Sequence, residues 1–214
     1  IVSPSDKTVF PPSITAPAFV NGAVGVSLTS TITTNAAATF PTYFQAKPLS
    51  DGLKLLNDAA YASTDPGGII NGVPTTIGTT NVILTVISSA GSDSKVVPFT
   101  IQGITITSPL TGTGVVGSDS FTTTLGATVG YQITATGAPN DWDAIGLPAG
   151  LQIDHRTGII SGFAAQTGTF SVTLKGTNAY ATGSSILAMT INPSPAGSPK
   201  ISSALTATAV DTVP

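Results

Sequence analysis

The feature that most constrains this chain is a repeat of about 90 residues. Gly72 and Gly162 share this spacing, as do Gly78 and Gly168, each of which begins a Gly-Thr ahead of an alternating run. Ile101 and Ile191 close those runs at the same offset. Upstream, Gly52-Leu53 matches Gly150-Leu151 at a wider offset, so the first copy carries an insertion near 56–65. A second signature occurs three times, as Ile14-Thr15-Ala16-Pro17, Ile106-Thr107-Ser108-Pro109 and Ile201-Ser202-Ser203-Ala204. The spacing divides the chain into an extended N-terminal segment (1–12), a first module (13–102) and a second module (103–193). The remainder, 194–214, reads as a linker followed by one strand. That strand either opens a third module or is donated to a neighbour. It is too short to bury a core of its own.

Composition decides what each module is made of. All 10 acidic residues are Asp, and Arg156 is the single Arg beside six Lys. Thr occurs 35 times, and charged residues are only 8% of the chain, about a third of the usual share. Helices draw on Glu, Arg, Gln and Leu, so a helical bundle is excluded. Thr and Val favour strands, and Gly, Pro and Asn favour the turns between them. No apolar run is long enough for a membrane helix, and a net charge of −3 argues against a nucleic-acid surface. With no Cys there is no disulfide and no thiolate ligand, so each core holds by packing alone.

The local pattern is antiparallel β. Val82 to Val86, Val97 to Ile101, Tyr131 to Ala135, Phe170 to Leu174 and Leu187 to Ile191 each alternate apolar with polar. Turn signals fall at Ser89-Ala90-Gly91-Ser92, Thr157-Gly158, Thr167-Gly168 and Ala181-Thr182-Gly183. About seven short strands per module is the arithmetic of an immunoglobulin-like sandwich. The expected fold is all-β: tandem immunoglobulin-like, cadherin-like antiparallel β-sandwiches.

Leu147-Pro148-Ala149-Gly150-Leu151, Ile153-Asp154, Thr157-Gly158-Ile159-Ile160-Ser161-Gly162, Gly168-Thr169 and Thr177-Asn178-Ala179 resemble the signature of putative-Ig domains. These are cadherin-like, dystroglycan-type repeats of large bacterial surface and secreted proteins. The first module keeps Gly68-Ile69-Ile70-Asn71-Gly72-Val73-Pro74 and Gly78-Thr79, but has Leu49-Ser50-Asp51-Gly52-Leu53 in place of Leu-Pro-x-Gly-Leu. The resemblance implies an extracellular, modular, mostly non-enzymatic role. The signature residues read as structural. Gly72, Gly78, Gly158, Gly162 and Gly168 suit positive φ or close backbone approach. Asp154 and Thr157 suit hydrogen bonds to turn amides. Ile153, Ile159 and Phe163 are expected to point inward.

Few residues offer chemistry. His155 is the single imidazole and sits in a turn beside Asp154, which alternation on a strand places badly for orienting it. Asp141-Trp142-Asp143 offers a Trp to stack a sugar and two carboxylates on one strand face. A lone Trp in a sandwich more often packs on the core. Calcium needs six to eight oxygens. The joints Gln102-Gly103 and Asn192-Pro193-Ser194-Pro195 supply almost none. One site using Asp141, Asp143 or Asp154 is the alternative to no cofactor.

The expected role is a non-enzymatic structural or adhesive stalk of a cell-surface or secreted bacterial protein, which in its extended form is the subunit of an extracellular filament. Its expected partners are copies of itself or further repeats of the same chain. The alternative is a module binding a glycan or a host surface protein through loops 54–66 and 137–146.

Overall fold

The computed structural model describes residues 11–34, 43–56, 68–108 and 120–195. Residues 1–10 and 196–214, with the expected strand at 198–210, lie outside them, as do residues 57–65 of the insertion. Every regular element among the described residues is a strand. The first eight are β1 (Ile14–Thr15), β2 (Val20–Ala23), β3 (Leu28–Thr34), β4 (Tyr43–Lys47), β5 (Leu53–Leu56), β6 (Gly68–Gly72), β7 (Gly78–Ser88) and β8 (Gly91–Gln102). The rest are β9 (Ser120–Thr124), β10 (Thr128–Gln132), β11 (Asp141–Ile145), β12 (Leu151–Asp154), β13 (Ile159–Phe163), β14 (Gly168–Thr177) and β15 (Thr182–Asn192).

Alternation along these strands produces two sandwiches. The first pairs a sheet ordered β1-β3-β6-β5 with one ordered β2-β8-β7-β4. The second pairs β10-β13-β12 with β11-β14-β15-β9. A single bridge between Ile106 and Ala135 stands where β1 pairs with β3 in the first. β2 on β8 and β9 on β15 are parallel, and the other pairs are antiparallel.

Each sandwich has its own core. Ile32, Phe44, Ile70, Leu84, Phe99 and Ile101 lie in one cluster. Tyr131, Ile160, Val172, Leu174, Met189 and Ile191 lie in the other. Burying such side chains is the main stabilising term, roughly 1.5–3 kcal/mol each. The outward faces explain the threonine content. Cross-strand hydroxyl pairs link Thr79 with Thr100 at 3.0 Å, Thr85 with Ser94 at 2.9 Å and Thr177 with Thr182 at 3.1 Å. β-branched residues fit a pleated surface, and their hydroxyls pair without charge.

Two glycine pairs set the register of the sheet in each sandwich that carries β5 or β12. Gly72 and Gly162 have φ of 142° and 135°. A Cβ on Gly72 would strike the carbonyl oxygen of Gly52, and one on Gly162 that of Gly150. Phe163 N donates to that Gly150 oxygen at 3.1 Å. With Gly162 opposite both Leu151 and Val129, every other residue of β13 is committed to one face.

This register corrects one expectation. Ile160, opposite Ile153 and Tyr131, is fully buried, whereas Ile159 is 40% and Phe163 65% exposed. The expectation that Ile159 and Phe163 point inward is off by one residue, because the glycine occupies the inward parity. Ile153 does pack partly against the core. Two boundaries also move. The strand expected at Tyr131 to Ala135 runs from Thr128 to Gln132, although Ile133 stays buried. The expected loop 137–146 contains β11, and residues 54–56 belong to β5.

Substituting Gly162→Ala should therefore destabilise the second sandwich by about 3 kcal/mol or more, through backbone collision and a disfavoured φ. Calorimetry should show the transition of the second sandwich lowered and that of the first retained. Unchanged melting would contradict the interlock.

Candidate functional site

The residues singled out for chemistry gather where β11 faces the turn after β12. Strand parity turns the exposed Asp141 and the half-buried Asp143 away from Trp142, which packs against the core. Trp142 N donates to His155 O at 2.9 Å, and Trp142 O accepts from His155 Nδ1 at 2.6 Å. Bonding a carbonyl requires the hydrogen on Nδ1.

The indole is held by absent side chains. A Cβ on Gly158 would lie 2.9 Å from its Cδ2, and one on Gly176 would lie 3.2 Å from its Cζ3. Pro139 Cβ comes equally close to the Gly176 position, at 3.2 Å. The Trp ring thus spends its apolar surface on the fold.

Asp154 closes the turn that follows β12. Its Oδ1 accepts from Arg156 N at 2.9 Å and Thr157 N at 3.2 Å, while its backbone oxygen accepts from Gly158 N at 2.8 Å. Gln132 Nε2 donates to Thr157 O at 2.7 Å and ties this turn to β10. Hydrogen bonds from the Arg156 amide, then from Thr157, hold the Asp154 carboxyl below the ordinary aspartate range. Asp143 Oδ1 accepts from Ala144 N at 2.9 Å, and Asp143 lies across from Lys175 in the ladder. Asp141 lies across from Thr177. Among the described residues, no three His, Cys, Asp or Glu side chains gather as a metal ion would need. Asp154 spends its charge on its own turn.

A second site was not legible in the sequence as a contact: the joint between the sandwiches. Asn178, between β14 and β15, uses every polar atom of its side chain. Its Nδ2 donates to Gly137 O at 2.8 Å and, across the joint, to Val24 O at 3.1 Å. Its Oδ1 accepts from Tyr180 N at 2.8 Å and Ala181 N at 3.0 Å. Nearby, Ala181 packs on the core of the first sandwich, and a Cβ on Gly25 would meet both Asn178 and Tyr180. One amide thus shapes its own turn and reaches the neighbouring sandwich. The signal available was Thr177-Asn178-Ala179, a motif that carried the family resemblance but gave no hint of what it touches.

The lowered Asp154 pKa sets a sign for acid stability. Because folding favours the carboxylate, its contribution is complete above the unfolded value and is lost as pH falls through the folded one. The second sandwich should lose stability below pH about 4, and Asp154→Asn should flatten part of that dependence. Melting followed from pH 6 to pH 2 would check it. An identical acid slope in the variant would contradict this role for Asp154.

Comparison with known proteins places the second sandwich. Residues 103–192 match the putative Ig domain family. No curated protein matches. Among solved structures, a putative alpha-galactosidase/melibiase from Bacteroides fragilis is 33% identical, over 35% of this chain and 16% of its own, with a TM-score of 0.33. The chain therefore spans only a small part of that protein's length. An I-band fragment of titin is 14% identical over 85% of this chain and 66% of its own, with a TM-score of 0.38. The N-terminal Ig1-2 module of the Drosophila receptor protein tyrosine phosphatase DLAR is 14% identical over 86% of this chain and 100% of its own, with a TM-score of 0.32. The family match begins and ends within a residue of the second repeat, so the similarity to the putative Ig domain family falls on that module.

Proposed function

We propose that the chain is a non-enzymatic structural segment, a tandem pair of immunoglobulin-like sandwiches that sets reach in a bacterial surface or secreted protein. Its extended role is as the repeating body of an extracellular filament. The observation that carries this reading is the joint at Asn178. A tether needs no order between its modules, whereas a spacer must resist bending there. A saturated amide bonded to Val24 O, with Ala181 on the adjoining core, supplies that resistance. The outward faces support the same reading. Their hydroxyl pairs and a charged share of 8% leave little for salt to screen. The packing of Trp142 between Gly158 and Gly176 favours a structural part for it over contact with a sugar.

Electron microscopy of the native material tests the reading. The expected image is an elongated or filamentous particle with a repeating module. Compact single particles would count against it. At the joint, Asn178→Ala leaves Val24 O and Gly137 O without this donor, at about 1–3 kcal/mol for buried groups. Small-angle scattering should then show a broader spread of end-to-end distance than in the parent chain. An unchanged distance distribution would contradict the role given to Asn178.

A further inference from the structure

Each sandwich has a hairpin tip at one end and a receiving turn at the other, and the joint brings one of each together. The ladders align the repeats. Gly22 lies opposite Ile101 and Thr123 opposite Ile191, so Val24-Gly25 corresponds to Leu125-Gly126. The backbone of the two turns is the same. Val24 N donates to Gln102 O at 2.9 Å, and Leu125 N donates to Asn192 O at 2.8 Å. Gly25 N donates to Pro74 O at 2.9 Å, and Gly126 N donates to Ala164 O at 2.7 Å. The two glycines have φ of 78° and 82°. At the other end of the long hairpins, Ile87 lies across from Ser92 and Thr177 across from Thr182, so residues 88–91 correspond to 178–181. Ser88 Oγ accepts from Ala90 N at 3.1 Å, as Asn178 Oδ1 accepts from Tyr180 N at 2.8 Å.

The two turns differ in what stands against them. Val24 is fully buried, and a Cβ on Gly25 would meet Asn178 and Tyr180. Leu125 is 37% exposed, and a Cβ on Gly126 would meet nothing within 4 Å among the described residues. Phe163, next to the Ala164 that accepts from Gly126, is 65% exposed. We propose that Leu125, Gly126 and Phe163 dock the 88–91 hairpin of a second copy of the chain, repeating the joint between molecules. Side-chain size is exchanged to match. The joint sets the small Val24-Gly25 turn against Tyr180, and the docked pair sets the larger Leu125 against Ala90. The Ser88 hydroxyl has a hydrogen to donate to Leu125 O, which accepts from Ser194 Oγ at 2.9 Å and has a second lone pair. Turn and tip are different surfaces, so the contact is head-to-tail and copies follow one another in a row. The inference rests on the filament reading above and names the contact between its subunits.

Two variants of the full chain test it, Leu125→Asp on the receiving turn and Ala90→Asp on the tip. By sedimentation velocity the parent chain should self-associate as concentration rises. Each variant alone should associate at least about tenfold more weakly, because an unpaired carboxylate enters every contact, while melting as the parent does. Mixed together, they retain one parental contact between the Ala90 tip of the first and the Leu125 turn of the second. The other contact then sets Asp against Asp, so the mixture should stop at a one-to-one dimer. A parent chain that stays monomeric at every concentration would overturn the proposal, in favour of a same-chain occupant of that end. Variants that melt and associate like the parent, or folded variants whose mixture does not pair, would also overturn it. If Leu125→Asp does not fold, Ala90→Asp alone decides by the same comparison. Association through these surfaces without filaments in the native material would instead retire the filament reading and leave this inference standing.

Discussion

Both sandwiches depend on a carbonyl pressed into the space where a side chain would stand. The Gly52 oxygen occupies that space at Gly72, and the Gly150 oxygen occupies it at Gly162. Neither contact tolerates a Cβ, so the position of each glycine sets the strand register. Register then decides which residues of β6 and β13 face the core. Ile70 and Ile160 lie inside with no measurable exposure because of it. From these two strands the sheets extend on both sides, and the second sheet of each sandwich closes over the apolar face.

The same economy of small residues organises the two sites. Trp142 lies where Gly158 and Gly176 leave room, and Gly25 leaves room for Asn178 and Tyr180 at the joint. Charge has a minor part throughout. Asp154 closes its own turn, and Asp93 with Lys95 latches a strand. The positions of the second sandwich that match this latch are Gly183 and Ser185. Packing without disulfides thus leaves a well-specified core in each sandwich.

Period and punctuation made the architecture readable. The 90-residue spacing of Gly72 with Gly162 and the alternation around Val82 and Phe170 give the sandwiches and their paired long strands. The face of β13 was not readable, because Ile159 and Ile160 are equally apolar and only the Gly150 contact chooses between them. Asn178 was visible as a motif, but its contact lies 154 residues away at Val24.

The central claim is that the Asn178 joint makes the two sandwiches move as one body. Residual dipolar couplings of backbone amides in both sandwiches, measured in one weakly aligned sample, test this directly. The account predicts that both sets fit a single alignment tensor. Two tensors of different magnitude would mean that the sandwiches reorient independently, and would contradict it.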